Sequence, residues 1–433
     1  MTASQDRSFV VRAKWLLPGG AFVLDGGWVD VRRGRIVAVG KGRPSKPALD
    51  FGDSIVVPGL VNPHTHLEFS LLERPFEQGP GGLVDWIRGL VSWRRDSHDS
   101  RRTDPGAAMR AGLLESIASG VTAIGEIATD PLDTPLPSWS PRLRIYHEGI
   151  GLRPTRIAGE RIGCLERRLT QRIDANMRAG ESAGVSPHAP YSVRAEVART
   201  IVALARRRGL PAMVHLAESA EEGEFLAHRR GPWRSLLEDL DAWPDVDPPL
   251  LPAVEWITLL SGLRRAAVVH GTFLDEESRC RLARHADRIA LVVCPRTACR
   301  ISGRLQGGVR EPPVSFRRLS ELRRAGVRVA IGTDGKGSSP DLSVRAEAAA
   351  AVEYGFASPR EAFDMITRSA AWAIGLDHIA GEIRVGRPAD LAIFAPAVGR
   401  DPFAGLFDPS SFPLATYRSG RPIWRRETID GEG

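Results

Sequence analysis

Through the middle of the chain, short apolar runs alternate with longer segments whose apolar residues recur at three- and four-residue spacing. The runs 59–64, 121–127, 143–149, 183–187, 212–216, 266–270, 289–294 and 327–333 read as strands. The segments 106–119, 160–179, 194–208, 276–284 and 316–325 read as helices with one apolar face. Eight strands joined by crossover helices predict a closed parallel (β/α)8 barrel of TIM type rather than an open sheet. The two ends of the chain have another texture. From Phe9 to Val57, runs such as Arg35-Ile36-Val37-Ala38-Val39 are broken by Gly19-Gly20, Gly26-Gly27 and Gly34, the pattern of antiparallel strands and tight turns. The stretches GRPADLAIF (386–394) and YRSGRPIW (417–424) repeat it. The expectation is an α/β protein in which residues 1–57 and 379–433 build one small composite β-sandwich beside a barrel of residues 58–378.

The length supports this division, because a barrel takes roughly 250 residues and the chain has 433. No apolar stretch approaches the ~20 residues that span a bilayer. Met1 to Arg12 is polar and holds no apolar signal segment, so a cytoplasmic protein without a membrane partner is expected. The four cysteines, Cys164, Cys280, Cys294 and Cys299, form no disulfide framework and are expected to pack as small buried hydrophobes. The formal charge of +7 is spread along the chain, with clusters such as Arg206-Arg207-Arg208 at predicted helix ends. With no basic arm and no aromatic-studded RNA-binding strand, nucleic acid is excluded as a partner. A small-molecule substrate is expected, and a homo-oligomeric state is compatible with the sequence.

Four polar motifs terminate predicted strands: Pro63-His64-Thr65-His66, His215-Leu216-Ala217-Glu218, His270-Gly271 and Thr333-Asp334-Gly335. In a parallel barrel every strand's carboxyl end opens on one face, so these groups can converge. Alternation places His64 and His66 on the same side of an extended segment. Buried singly, such groups would each cost several kcal/mol unless paired. Neutral imidazole plus carboxylate suits one divalent metal, zinc in the first instance and iron as the alternative. His64, His66, His215 and Asp334 are the expected ligands. A metal lowers the pKa of its water towards ~7, and Asp334 can take the proton that water gives up. His270 either ligates or steadies the attacking hydroxide, the second role being favoured. Glu218, just past the strand, can carry a proton to a substrate ring nitrogen. His188 in Ser186-Pro187-His188 and Trp86 are candidate substrate contacts, and Glu68 either joins them or pairs with an arginine; Glu68 and Trp86 lie in the long connection 67–105. This connection and the longer one between Glu218 and His270 either shape the pocket or elaborate the surface. His98 lacks a comparable context.

Together these residues resemble the amidohydrolase superfamily, in particular its aminohydrolase branch of chlorohydrolase-like enzymes and nucleoside deaminases. The matching pieces are PGLVNPHTHLEFS (58–70), SPHAPYS (186–192), HLAES (215–219), HGTFLD (270–275), IGTDGKGSS (331–339) and GEIRVGRPADLAIF (381–394). The resemblance implies a metal-dependent barrel, a composite β-sandwich and hydrolytic removal of a ring-bound amino group. Two-metal relatives often bridge their ions with a carboxylated lysine from the fourth strand. No lysine lies between Lys46 and Lys336, which favours a mononuclear site. Where relatives often carry Cys-Pro-x-Ser-Asn, this chain has Cys294-Pro295-Arg296-Thr297-Ala298-Cys299-Arg300; Arg296 and Arg300 are either contacts for an anionic substrate or surface charges. The Leu67-Glu68-Phe69-Ser70 run is similar to aminodeoxyfutalosine deaminases. The expected function is a metal-dependent deaminase of a purine-like or other N-heteroaromatic amine. Hydrolysis of another C–N or a C–halogen bond is the alternative, and an inactive barrel used for binding is a third.

Overall fold

The computed structural model describes residues 8–77, 79, 81–97, 104–129, 136–151, 158–178, 181–244, 247–302, 304–306, 309–311, 316, 318–396 and 399–427. His98, residue 317 and the expected helix end at 179 lie outside the described residues. Eight strands follow one another in a single parallel sheet: β1 Leu60–Thr65, β2 Val121–Ala128, β3 Arg142–Gly149, β4 Ser182–Pro187, β5 Ala212–Leu216, β6 Ala266–His270, β7 Ile289–Val293 and β8 Val329–Ile331. Every residue of β5 to β8 is buried, as strands covered on both faces require. Alternate residues serve two cores. Met213, Ala267, Val269, Ala290, Val292 and Ala330 fill the barrel interior. Val214, Val268, Leu291 and Val329 face the surrounding helices.

The barrel closes where β8 meets β1. The Thr333 and Asp334 N–H groups both donate to the His64 carbonyl at 3.2 Å. The buried Asn62 amide donates to Thr333 Oγ1 at 2.7 Å and accepts the Thr333 N–H at 3.2 Å. On its other side β1 loses regular register with β2 between Asn62 and Thr65. Pro63 has no N–H to offer a ladder there, so the strand bulges beside the two histidines.

The ends of the chain meet in one sheet. Ile55–Pro58 lies antiparallel to Leu391–Ala395 within a six-stranded sheet whose other members are Trp15–Gly19, Phe22–Asp25, Phe412–Arg418 and Arg421–Arg425. A four-stranded sheet of Phe9–Arg12, Gly27–Arg32, Arg35–Lys41 and Leu49–Asp50 shares its core. Val11, Val29 and Ile36 pack there with Val56, Leu391 and Ile393, which makes the composite sandwich. Arg142 on β3 fastens it to the barrel through Asp390, at 2.9 and 3.3 Å.

One expectation needs correction. Cys164 and Cys280 are exposed, and only Cys294 and Cys299 are buried. Cys164 lies on an outer face of the amphipathic helix Ala158–Arg178 and Cys280 on one of Glu276–Arg284, where a thiol meets solvent. The two long connections contain the helices Leu83–Ser97, Ala220–His228, Pro232–Asp239 and Ala253–Leu260. Among the described residues no helix is long and apolar enough to cross a membrane.

Gly125 on β2 packs against the β1 bulge, where an added Cβ would stand 2.2 Å from the Pro63 carbonyl oxygen. Backbone cannot yield as a flexible side chain would. Gly125→Ala is expected to cost about 1–3 kcal/mol, read as a lower urea midpoint of unfolding. An unchanged midpoint would show that β1 can shift freely.

Candidate metal centre and its cavity

The site is assembled at the carboxyl ends of five strands. His64 and His66 come from β1 and the turn after it, His215 from β5, His270 from β6, and Asp334 from three residues past β8. His188 follows β4. Asp334 Oδ1 lies 3.5 Å from both His64 Nε2 and His66 Nε2. His66 Nε2 and His215 Nε2 face each other at 3.3 Å. His270 Nε2 is 3.5 Å from Glu218 Oε2. One donor atom each from His64, His66 and Asp334 falls within a 4.8 Å span, as does one each from His64, His215 and His270.

Supporting bonds fix how these groups point. His215 Nδ1 donates to the His188 carbonyl at 3.0 Å, which leaves the Nε2 lone pair free to face the centre. Ser338 Oγ donates to Asp334 Oδ2 at 2.6 Å, so Oδ1 is the oxygen turned to the imidazoles. Thr65 Oγ1 holds the Asp334 carbonyl at 3.0 Å. His270 and Asp334 both sit in the left-handed region, with φ of 68° and 57°. For side chains other than glycine that conformation costs about 1–3 kcal/mol. It matters most for His270. By alternation His270 belongs with Ala266 and Val268, which face the helices; the left-handed turn swings it to the mouth.

Burial sets the charge states. With help from the neighbouring His64, it brings His66 down to about 3. Burial, opposed by the Asp334 carboxylate, brings His270 to about 4. His215 is pushed well below the ordinary imidazole value by burial and by His64 and His188. Burial works against ionisation of Asp334 too, but the surrounding His64, His66 and His270 outweigh it and hold its carboxyl well below the usual range. Glu218 goes the other way: burial, then the charges of Asp334 and Glu222, raise it well above the ordinary carboxyl value. Burial thus favours the uncharged form of His66, His215, His270 and Glu218, while the surrounding histidines favour the ionised form of Asp334.

This donor set fits a divalent metal. Among the described residues, both ring nitrogens of His64 are buried without a hydrogen-bond partner. A cation among His64, His66, His215 and Asp334 would engage one of those nitrogens together with the facing Nε2 atoms of His66 and His215 and Asp334 Oδ1.

Above the centre opens a cavity of ≈ 1130 Å³, its mouth included. Both long connections wall it. The first contributes Phe69, Trp86, Leu90 and Arg94, the second Trp233, Leu236 and Leu240. Tyr191 stacks on Trp233 with ring centroids 3.8 Å apart. His188, Glu218, His270 and Asp334 line the floor. Trp86 lines the wall while its indole N–H is occupied by the Gly337 carbonyl at 2.8 Å. Glu68 is the sequence candidate that the structure does not bring to this lining. Its carboxylate turns to Arg94 at 2.7 Å and accepts from Thr129 at 3.2 Å, so Arg94 reaches the cavity in its place. Arg296 and Arg300 do not reach it either: Arg296 is clamped by Asp341 and Glu347 at 2.7 Å each, and Arg300 donates to the Phe76 carbonyl at 2.9 Å.

Sequence reasoning missed Glu148, Arg94, Ser338 and Glu222. Glu148 ends β3 just as His215 ends β5, a position that could have flagged it. Its pKa is pushed up to about 7 by burial, and it faces His188 Nε2 at 3.9 Å. Arg94 and Ser338 carried no signal of their own.

The profile of the Amidohydrolase family matches residues 55–420. The aminodeoxyfutalosine deaminase of a Nitratiruptor species is 28% identical over 352 residues, 79% of each chain. The crystal structure of Helicobacter pylori aminofutalosine deaminase in complex with methylthio-coformycin aligns with a TM-score of 0.81 at 22% identity, over 96% of this chain and 99% of that one. An adenosine deaminase from Xanthomonas campestris with bound zinc aligns at 0.74 and 23% identity, over 98% and 94%. A match that starts in the last N-terminal strand, runs through the barrel and ends in the C-terminal sheet makes this chain a member of the amidohydrolase family.

Proposed function

We propose that this protein is a metal-dependent hydrolytic deaminase of a small amino-substituted purine-like or related N-heteroaromatic compound, converting the amine-bearing carbon to a carbonyl and releasing ammonia. The observation that carries the reading is a buried Glu218, its carboxyl raised above the usual range, beside His270 and Asp334 on the floor of a cavity with apolar walls. The similarity to the Nitratiruptor and Helicobacter deaminases supports the same chemistry.

His64, His66, His215 and Asp334 would hold one divalent metal; the zinc-bound relative supports zinc. When bound, the metal supplies a water acidified towards a pKa of ~7. Asp334 Oδ1, ionised and aimed by Ser338, accepts the proton that this water gives up. Glu218 enters protonated and delivers its proton to the ring nitrogen next to the attacked carbon, which makes that carbon electrophilic. Neutral His270, whose Nε2 lies against Glu218, steadies the developing charge. Collapse of the adduct breaks the exocyclic C–N bond: the departing amine takes the proton held by Asp334 and leaves as ammonia, and the adduct's hydroxyl proton passes to Glu218 as the carbonyl forms. Trp86, Leu90, Trp233 and Leu236 hold the flat ring and exclude bulk water. His188 and Glu148, at the polar edge, orient it.

Two outcomes are expected. Glu218→Gln keeps the shape but cannot carry the proton, so ammonia release from adenosine-type nucleosides should fall at least ~10²-fold while the metal content stays unchanged. Release at the wild-type rate in that variant would overturn the assignment. Stripping the protein with a strong chelator should abolish release, and zinc added to one ion per chain should restore it. Full activity in metal-free protein would defeat the metal-dependent reading.

A further inference from the structure

The helix Ala220–His228 begins with Ser219 as N-cap and Glu222 at its third position, the Ser-x-x-Glu sequence of a capping box. In the ordinary box the glutamate reaches back to the cap residue's own N–H. This chain contains such a box: Glu361 takes the Ser358 N–H at 2.8 Å. Glu222 departs from it. Ser219 Oγ accepts the Glu222 N–H at 3.3 Å, the usual half, but the Glu222 carboxylate passes Ser219 by. Its two oxygens accept the N–H groups of Ala217 at 2.8 Å and Glu218 at 3.1 Å.

Those amides belong to a bend that is held from both sides. Ala217 has a left-handed φ of 54°, uncommon for a residue with a Cβ. Its carbonyl accepts the Phe273 N–H at 2.8 Å, tying the bend to the loop after His270. Glu222 is buried to 1% exposure, which is expensive for a carboxyl group used only to start a helix that Ser219 already caps.

We infer that Glu222 is a positioning residue for the reaction: it grips the N–H groups on either side of the Ala217 α-carbon and so fixes the direction from which the Glu218 carboxyl meets the substrate ring. The inference rests on the role proposed for Glu218. Without the grip, Ala217 can relax to an ordinary φ and the Glu218 side chain loses its aim at His270. An error of about 1 Å in such a group costs on the order of a hundredfold in rate.

The test is a double-mutant cycle on the metal-loaded full chain, with ammonia release from adenosine as the rate and hydrogen exchange as a second readout. Glu222→Ala should lower kcat roughly tenfold to a hundredfold, with KM and metal content close to wild type, and should speed exchange of the Ala217 and Glu218 amides. Glu222→Gln, which keeps one acceptor, should fall between. Ser219→Ala removes the cap alone and should lower the melting temperature without this loss of kcat. In the Glu218→Gln background, Glu222→Ala should cost almost nothing further, because it acts through a group already removed. Losses that multiply in the double variant would make Glu222 merely structural and overturn the inference. So would unchanged exchange at Ala217 and Glu218 in Glu222→Ala, a result that needs no turnover. If wild-type protein released no ammonia from adenosine, the proposed substrate chemistry would fail while the exchange measurement still judged the grip.

Discussion

The seam between the first and last barrel strands is the contact on which the site depends. His64 offers one carbonyl to two amides, those of Thr333 and Asp334, and Asn62 bridges the same two segments from inside. These residues are about 270 positions apart, yet the bonds leave no freedom in how β1 and β8 meet. Closing the barrel and bringing Asp334 to the histidines are one event. The glycine of Gly332 allows it, since an added Cβ would lie 3.0 Å from the His64 carbonyl oxygen and Cβ. Folding energy from a large apolar barrel is thereby coupled to a small polar cluster that could not assemble alone.

Desolvation then does the chemical sorting. The same burial that pushes His66, His215 and His270 towards neutrality raises Glu218 and Glu148. Asp334 alone escapes, because three imidazoles surround it and Ser338 holds its outer oxygen. The pocket therefore contains two carboxyl groups whose affinities for a proton are pushed in opposite directions by their neighbours. Such a separation is what proton transfer in both directions requires. The apolar walls keep it from being levelled by water.

Backbone strain recurs at the same few residues. Ala217, His270 and Asp334 all take left-handed φ values beside or within the centre, whereas Arg33, Arg229, Asp241 and Ser419 do so elsewhere in the chain. The β1 bulge at Pro63 adds a fourth irregularity, again beside ligand candidates. Regular strands would aim His270 at the helices; the barrel supports the departures because rigid, fully buried strands hold both ends of each turn. The long connections play a different part. The helices Leu83–Ser97 and Pro232–Asp239 wall the cavity, whereas Ala253–Leu260 packs Trp256, Ile257 and Leu260 into the core around the barrel.

The barrel was legible in the chain because its strands are uniformly apolar and its helices amphipathic, patterns that burial alone imposes. The polar residues ending β1, β5 and β6 and those after β8 stood out for the same reason: nothing but a shared ligand or partner explains a histidine where apolar residues prevail. Local sequence also marked the arginines 206–208 as a helix end. Other features depend on neighbours distant in sequence. Whether Glu68 or Arg94 reaches the cavity is decided by their ion pair. Arg296 is tied down by Asp341 and Glu347, which no local pattern announces. The cysteines' exposure depends on which helix face meets solvent. The inward aim of His270, the oxygen of Asp334 that Ser338 claims and the reach of Glu222 past its own cap are likewise tertiary. Periodicity reports which side of a strand or helix is dry, whereas the direction of a single side chain at a chain reversal is set by what packs against it.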